Sequence, residues 1–231
     1  MNDSFVTLQP LATVDRDHSM CSNPMGNSQD SDPRIAFFNR IAPDWDTNGQ
    51  DPDDTVRQLE EFADLLRLQP GNNLLEVGCG TGQITGWLAR QVAPGQVVAV
   101  DFAETMLTQA KKKDIPAKWH HADVCRDDLG QSCFDVVLCF HSFPHFADQA
   151  AAVTNLARTL RPNGRFLVMH LAGSAQINAF HDEVGGEVAG DHLPCTDKWE
   201  SLLAANNLSV RNHIDRDGLF FLEAVLDSNV Q

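Results

Sequence analysis

The chain is short of positive charge: 17 lysines and arginines stand against 32 aspartates and glutamates, a formal net charge of -15 over 231 residues. Binding a phosphate backbone takes clustered cations. The one basic cluster, Lys111-Lys112-Lys113, falls where a helix is expected to end, and solvated cations there offset the helix dipole. A nucleic-acid partner is therefore disfavoured. No apolar run approaches the roughly 20 residues that a membrane helix needs, so no membrane span is expected. The six cysteines (Cys21, Cys79, Cys125, Cys133, Cys139 and Cys195) have no C-x-x-C spacing, and no secretory signal pattern precedes them. Reduced thiols in a cytoplasmic protein are the expectation. There is no internal repeat, and nothing in the residues sets an oligomeric state. An apolar content of 42% in a chain of this length is enough for one large α/β domain and too little for two.

One more absence is local. A dinucleotide site wants G-x-G-x-x-G, with the pyrophosphate resting at a helix N-terminus. After the apolar pair Leu74-Leu75 the chain reads Glu76-Val-Gly-Cys-Gly-Thr-Gly82. Gly78 and Gly80 fit that pattern, but Gln83 occupies the third position and the third glycine comes one residue early. A strand ending in alternating glycines lets the backbone turn sharply and come close to a ligand. Asp101, at the end of the next apolar run, can accept hydrogen bonds from the two hydroxyls of a ribose. Glu76, inside the strand, would repel a pyrophosphate and suits a cation. S-adenosylmethionine (SAM) is a nucleoside with a sulfonium, an α-ammonium and no phosphate.

At these residues the chain resembles the class I SAM-dependent methyltransferases, whose first motif reads E-x-G-x-G-x-G with an acidic residue ending the second strand. The resemblance runs from about Arg34 to about Leu226 and is nearest to the ubiquinone/menaquinone-type small-molecule enzymes. It implies a Rossmann-like α/β fold: a seven-stranded, mostly parallel sheet closed by a C-terminal antiparallel hairpin. It also implies that Asp123 hydrogen-bonds the adenine amino group, where a turn cap is the alternative. The stretch Ile35–Asp46 is similar to the short segment that covers the cofactor in those enzymes, or is an ordinary helix at the sheet edge.

The residue pattern carries the same architecture. Residues 1–33 are polar and too poor in apolar side chains to offset chain entropy, so a flexible leader is expected ahead of one domain at 34–231. Asp51-Pro52 starts a helix with Val56, Leu59, Phe62 and Leu66 on one face. Strands at 74–77, 97–101, 118–121, 134–140 and 165–170 then alternate with helices at 83–91, 103–112 and 149–160. A helix at 197–206 precedes two strands, 208–213 and 219–226, facing each other across the turn signal Asp215-Arg-Asp-Gly218. That hairpin and Gln83 disfavour an NAD-linked oxidoreductase. Residues 171–200 stand outside the pattern and are expected to form a substrate-side insertion.

In an open α/β sheet the ligand lies across the carboxyl ends of the strands. The cofactor-binding candidates are then Glu76, Gly78, Cys79, Gly80 and Gly82 from the first strand, Asp101, Phe102 and Met106 from the second, Asp123 and Val124 from the third, and Phe140 from the fourth. Phe140, Phe143 and Phe146 favour a flat or apolar small-molecule acceptor. His145, His170 and His181 come from three segments that topology sends to the same mouth, and Ile177, Phe180, His181 and Val184 share one helical face. One imidazole could serve as a general base while the others bind the acceptor. Alternatively the three could hold a divalent metal, or simply pack. The buried cysteines give a metalloid substrate little support. A non-catalytic SAM-binding or metal-binding protein on the same fold is the alternative to a methyltransferase.

Overall fold

A computed structural model describes residues 32–48 and 51–228. The expected leader lies outside them as far as residue 31. Seven strands form one sheet: β1 (Leu74–Val77), β2 (Val97–Asp101), β3 (Ala117–His121), β4 (Phe134–Phe140), β5 (Leu160–His170), β6 (Leu208–Arg216) and β7 (Leu219–Leu226). Their order across the sheet is β3-β2-β1-β4-β5-β7-β6. All pairings are parallel except those of β7, which runs antiparallel to β5 and to β6. This is the expected fold, with the chain switching direction across the sheet between β1 and β4.

Buried on both faces, the central strands are almost uniformly apolar, as parallel strands must be. Leu75, Val77, Val137 and Val168 face the side packed by Trp199 and Leu156. Leu74, Leu138, Leu167 and Met169 face the side packed by Leu59, Leu66 and Trp87. Glu76 and Asp101 are the acids embedded at the ends of β1 and β2.

The described residues also contain nine α-helices, α1 (Pro33–Ile41), α2 (Trp45–Asn48), α3 (Pro52–Glu60), α4 (Ala63–Leu66), α5 (Thr85–Val92), α6 (Glu104–Ala110), α7 (Gln149–Thr159), α8 (Ser174–Val184) and α9 (Thr196–Ala204), besides four single-turn 3-10 helices. Several boundaries depart from expectation for local reasons. The single helix expected from Pro52 is two, and α4 ends at Arg67 in the left-handed region. Residues 81–84 form a turn, so α5 starts at Thr85. Strand β5 begins five residues early, because the chain stays extended through a bend at Asn163. The hairpin is tighter than the signal implied, with β6 pairing as far as Arg216 opposite Leu219.

Lys113 corrects the reading of the basic cluster as solvated. Its ammonium pairs with Asp46 at 2.7 Å. Asp46 also accepts from the Thr81 hydroxyl at 2.6 Å and from Gln83 at 3.1 Å. Burial works to raise the Asp46 carboxyl, and the Lys113, Thr81 and Gln83 contacts outweigh it and hold the group below the ordinary range. The segment around α1 and α2 is thereby fastened to the glycine turn.

Candidate active site

The glycine turn is shaped by protein contacts as well as by backbone freedom. Gly78 has φ +67°, and a Cβ there would lie 2.4 Å from Cβ of Ser142, which follows β4. The Ser142 hydroxyl in turn donates to the Val77 carbonyl at 2.6 Å. At Gly82 a Cβ would meet the Trp119 ring at 2.9 Å. Only at Gly80 is the space free, the nearest atom being Met106 Sδ at 4.0 Å.

Around this turn lies a cavity lined by Glu76, Gly78, Cys79, Gly80, Asp101, Phe102, Met106, Asp123, Val124 and Phe140. Of the eleven cofactor candidates, Gly82 alone is not on its wall. Phe38 of α1 and Trp45 of α2 also line it, so the N-terminal segment covers the cavity. Asp101 is held by two backbone donors, Gly80 N–H to Oδ2 and Ala103 N–H to Oδ1, both at 2.8 Å. Burial pushes its carboxyl up to about 6, against the pull of those donors and of His121 and His145. Asp123 is tied locally: Oδ1 accepts the Cys125 N–H at 2.9 Å, as the turn-cap alternative requires, while the residue still lines the cavity.

Glu76 is the sharpest electrostatic feature. It is 2% exposed, and its Oε2 has no hydrogen-bond partner among the described residues. Burial, with the neighbouring Asp101 charge added, pushes its carboxyl up to about 8, although the Thr85 hydroxyl opposes this. A buried carboxylate without a cation is unfavourable. Among the described residues no lysine or arginine lines this cavity. The donor set therefore fits a cationic nucleoside and not a phosphorylated one. Cys79, raised by burial, behaves as a small apolar residue.

A second cavity adjoins the first. It is lined by His141, His145, His170 and His181, by apolar groups from α1, α2, α8 and the segment after β5, and by polar groups that include Asp51, Asp54, Thr55 and Gln58 at α3. Phe38, Trp45, His141 and His145 line both cavities and form their common wall. Of the three histidines expected at one mouth, His145 stands on this wall, whereas His170 and His181 line the second cavity alone. On the α8 face, Ile177 and His181 are buried, whereas Phe180 and Val184 are exposed at the rim. Among the described residues no group of three or more His, Cys, Asp or Glu is placed to hold a metal ion. The metal alternative for His145, His170 and His181 therefore has no geometric support.

Three participants were not singled out by sequence pattern. Asp191, 6% exposed, accepts from His145 Nδ1 at 2.8 Å through Oδ2 and from Arg34 Nη1 at 3.0 Å through Oδ1. Its backbone carbonyl accepts from His181 Nδ1. Arg34, near the start of α1, is also clamped by Asp32. His141, at the end of β4, sits at φ +54°. Asp191 lies 46 positions from His145, and no spacing rule links them; nor does sequence pattern mark a histidine that itself adopts a positive φ.

The strand order, the hairpin and the glycine turn define the class I methyltransferase fold. Residues 75–168 match the methyltransferase domain family. A demethylmenaquinone methyltransferase from Symbiobacterium thermophilum is 29% identical over 144 residues, which are 58% of this chain and 57% of that protein. The chain spans about half the length of the curated relatives it matches. A chain from the Haloferax volcanii complex of the Trm112 methyltransferase activator with a methyltransferase superposes with a TM-score of 0.69 at 16% identity, covering 82% of this chain and 97% of that one. A SAM-dependent methyltransferase from Aquifex aeolicus gives 0.61 at 16% identity, covering 83% and 98%. The chain thus carries a methyltransferase domain over residues 75–168 and has the fold of the class I SAM-dependent methyltransferases.

Proposed function

We propose that this protein transfers the methyl group of SAM to a small-molecule acceptor bound in the histidine-lined cavity, with His145 as the base. The observation that carries this reading is the position of His145: it lies on the wall common to the two cavities and is anchored by a buried carboxylate. SAM supplies a methyl group on a sulfonium, ready for direct displacement. Glu76 would take the cationic amino-acid end, Asp101 the ribose hydroxyls, and Phe102, Met106, Asp123 and Val124 the adenine. The protein's share is orientation and charge stabilisation.

Imidazole is suited to moving a proton near neutral pH. With Nδ1–H donating to Asp191, the other nitrogen of His145 is left bare to accept a proton from the acceptor. The chain contains no tyrosine, so no phenol competes for that role. Phe38 and Trp45 would exclude water from the shared wall. The test is calorimetric: SAM and S-adenosylhomocysteine should each bind the purified protein at sub-millimolar concentration, and Asp101→Ala should weaken both at least tenfold. Failure of both ligands to bind overturns the reading.

A further inference from the structure

The four cavity histidines fall into two pairs. The rings of His145 and His181 have centroids 4.8 Å apart, and both are anchored on Asp191. The rings of His141 and His170 lie 5.1 Å apart and have no acidic partner among the described residues. Two imidazole pairs thus stand in a cavity whose remaining wall is mixed: aromatic and aliphatic at Phe37, Phe38, Trp45 and Leu171, and polar at Asp51, Asp54, Thr55, Gln58 and Gln176.

The second pair has a fixed hydrogen-bonding sense. His141 donates its backbone N–H to the Met169 carbonyl at 3.0 Å, and its Nε2 accepts the Leu171 N–H at 3.2 Å. A ring nitrogen that accepts an N–H carries no proton, so the neutral ring bears its proton on Nδ1. That Nδ1 has no protein partner among the described residues. Burial, reinforced by His145, pushes the His141 imidazole down to about 4, so the ring stays neutral and donates. The backbone at φ +54° is a conformation that L-residues rarely adopt, and such strain concentrates at working sites. His170 is 3% exposed, and its Nε2 is buried without a partner. Native proteins rarely leave such a group unmatched, because its desolvation is uncompensated.

We propose that His141 and His170 recognise a second polar function of the acceptor: an uncharged, hydrogen-bond-accepting oxygen of carbonyl or ether type, separate from the group that is methylated. This rests on the methyl-transfer reading for the place of the acceptor, and adds its chemical class. The His141 Nδ1–H is a donor that an acceptor atom of the ligand would satisfy. Among the described residues neither cavity has a lysine or arginine on its wall, so a carboxylate or phosphate would meet no counter-charge. A plain hydrocarbon would leave both rings unmatched.

The test compares three probes that share a phenol: 4-hydroxyacetophenone, 4-ethylphenol and 4-hydroxybenzoate. Their binding is measured by calorimetry with and without S-adenosylhomocysteine. The ketone should bind about tenfold more tightly than the ethyl analogue, as one net hydrogen bond gives, and the benzoate most weakly. In His141→Leu the gap between ketone and ethyl analogue should close. In His141→Asn, whose side chain tolerates a positive φ and keeps an N–H donor, it should persist. Equal binding of the two in the unaltered protein, tighter binding of the benzoate, no binding of any probe, or a gap unchanged in His141→Leu each overturns the proposal. If S-adenosylhomocysteine binds but the probes are not distinguished, the inference fails while the methyl-transfer reading stands. If the nucleoside does not bind, that reading fails on its own.

Discussion

His145 Nδ1 and Asp191 Oδ2 stand 2.8 Å apart, with the aspartate 6% exposed. The pair joins the end of β4 to the segment after α8 and fixes both the orientation and the tautomer of the imidazole. In Asp191→Asn the amide can present a donor to Nδ1 and turn the ring to the wrong tautomer. Methyl transfer should fall by about 10²–10⁴, the usual contribution of a positioned base, with little change in SAM affinity. His145→Ala should cost a similar factor, and the double variant little more, since the two act as a unit. Rates for the three variants decide this. Additive losses would separate the residues.

Glu76 makes cofactor binding pH-dependent. Its carboxyl is raised from the ordinary value to about 8, so between pH 4.5 and 8 the folded protein holds a proton that the unfolded chain has released. Its burial therefore leaves stability intact below pH 4.5 and erodes it as pH rises towards 8, by on the order of 4 kcal/mol. Glu76→Gln should flatten that decline in denaturant titrations at pH 5 and pH 8. A cation bound beside Glu76 favours the carboxylate. SAM binding at pH 7 should then release a proton, measurable as a dependence of binding heat on the ionisation enthalpy of the buffer, and Glu76→Gln should abolish the release.

The contrast between Glu76 and Asp191 says what a sequence makes legible. Glu76, the glycines and Asp101 are local to strand ends, where two-residue periodicity and glycine spacing mark positions directly, and the sheet order follows from the alternation of elements. Phe38 and Trp45 were half visible, as a segment of amphipathic character with two possible placements. Asp191 and Arg34 were not visible, because their roles arise from long-range ion pairs with no period. Lys113 was misplaced for the same reason: a helix-end lysine looks solvated until Asp46 is brought over from 67 residues earlier.

Arg34 couples the N-terminal cover to the base. Its guanidinium bridges Asp32 and Asp191, while Phe38 of the same helix is packed on the His145 ring at a centroid distance of 4.9 Å. Arg34→Met should loosen α1 without disturbing the sheet. SAM affinity should weaken severalfold, and hydrogen exchange should quicken at residues 33–48, while the melting transition of the core moves little. Unchanged exchange there would detach the cover from Asp191.

Two glycines two residues apart should fail in different ways. At Gly78 an alanine Cβ would stand 2.4 Å from Ser142 Cβ, with φ at +67°. Relief requires the end of β4 to shift, breaking the bond from Ser142 to Val77. Gly78→Ala should therefore lose about 2–4 kcal/mol of folding stability. At Gly80 the new Cβ meets nothing closer than Met106 Sδ at 4.0 Å, and only the positive φ of +54° opposes it, about 1–2 kcal/mol. Met106 and Gly80 both line the nucleoside cavity. Gly80→Ala should consequently fold with a modest penalty yet weaken S-adenosylhomocysteine binding at least tenfold. Denaturant midpoints and calorimetric Kd values on the two variants separate the cases: a Gly80→Ala protein that binds as tightly as the unaltered chain would place the ligand elsewhere than against this turn.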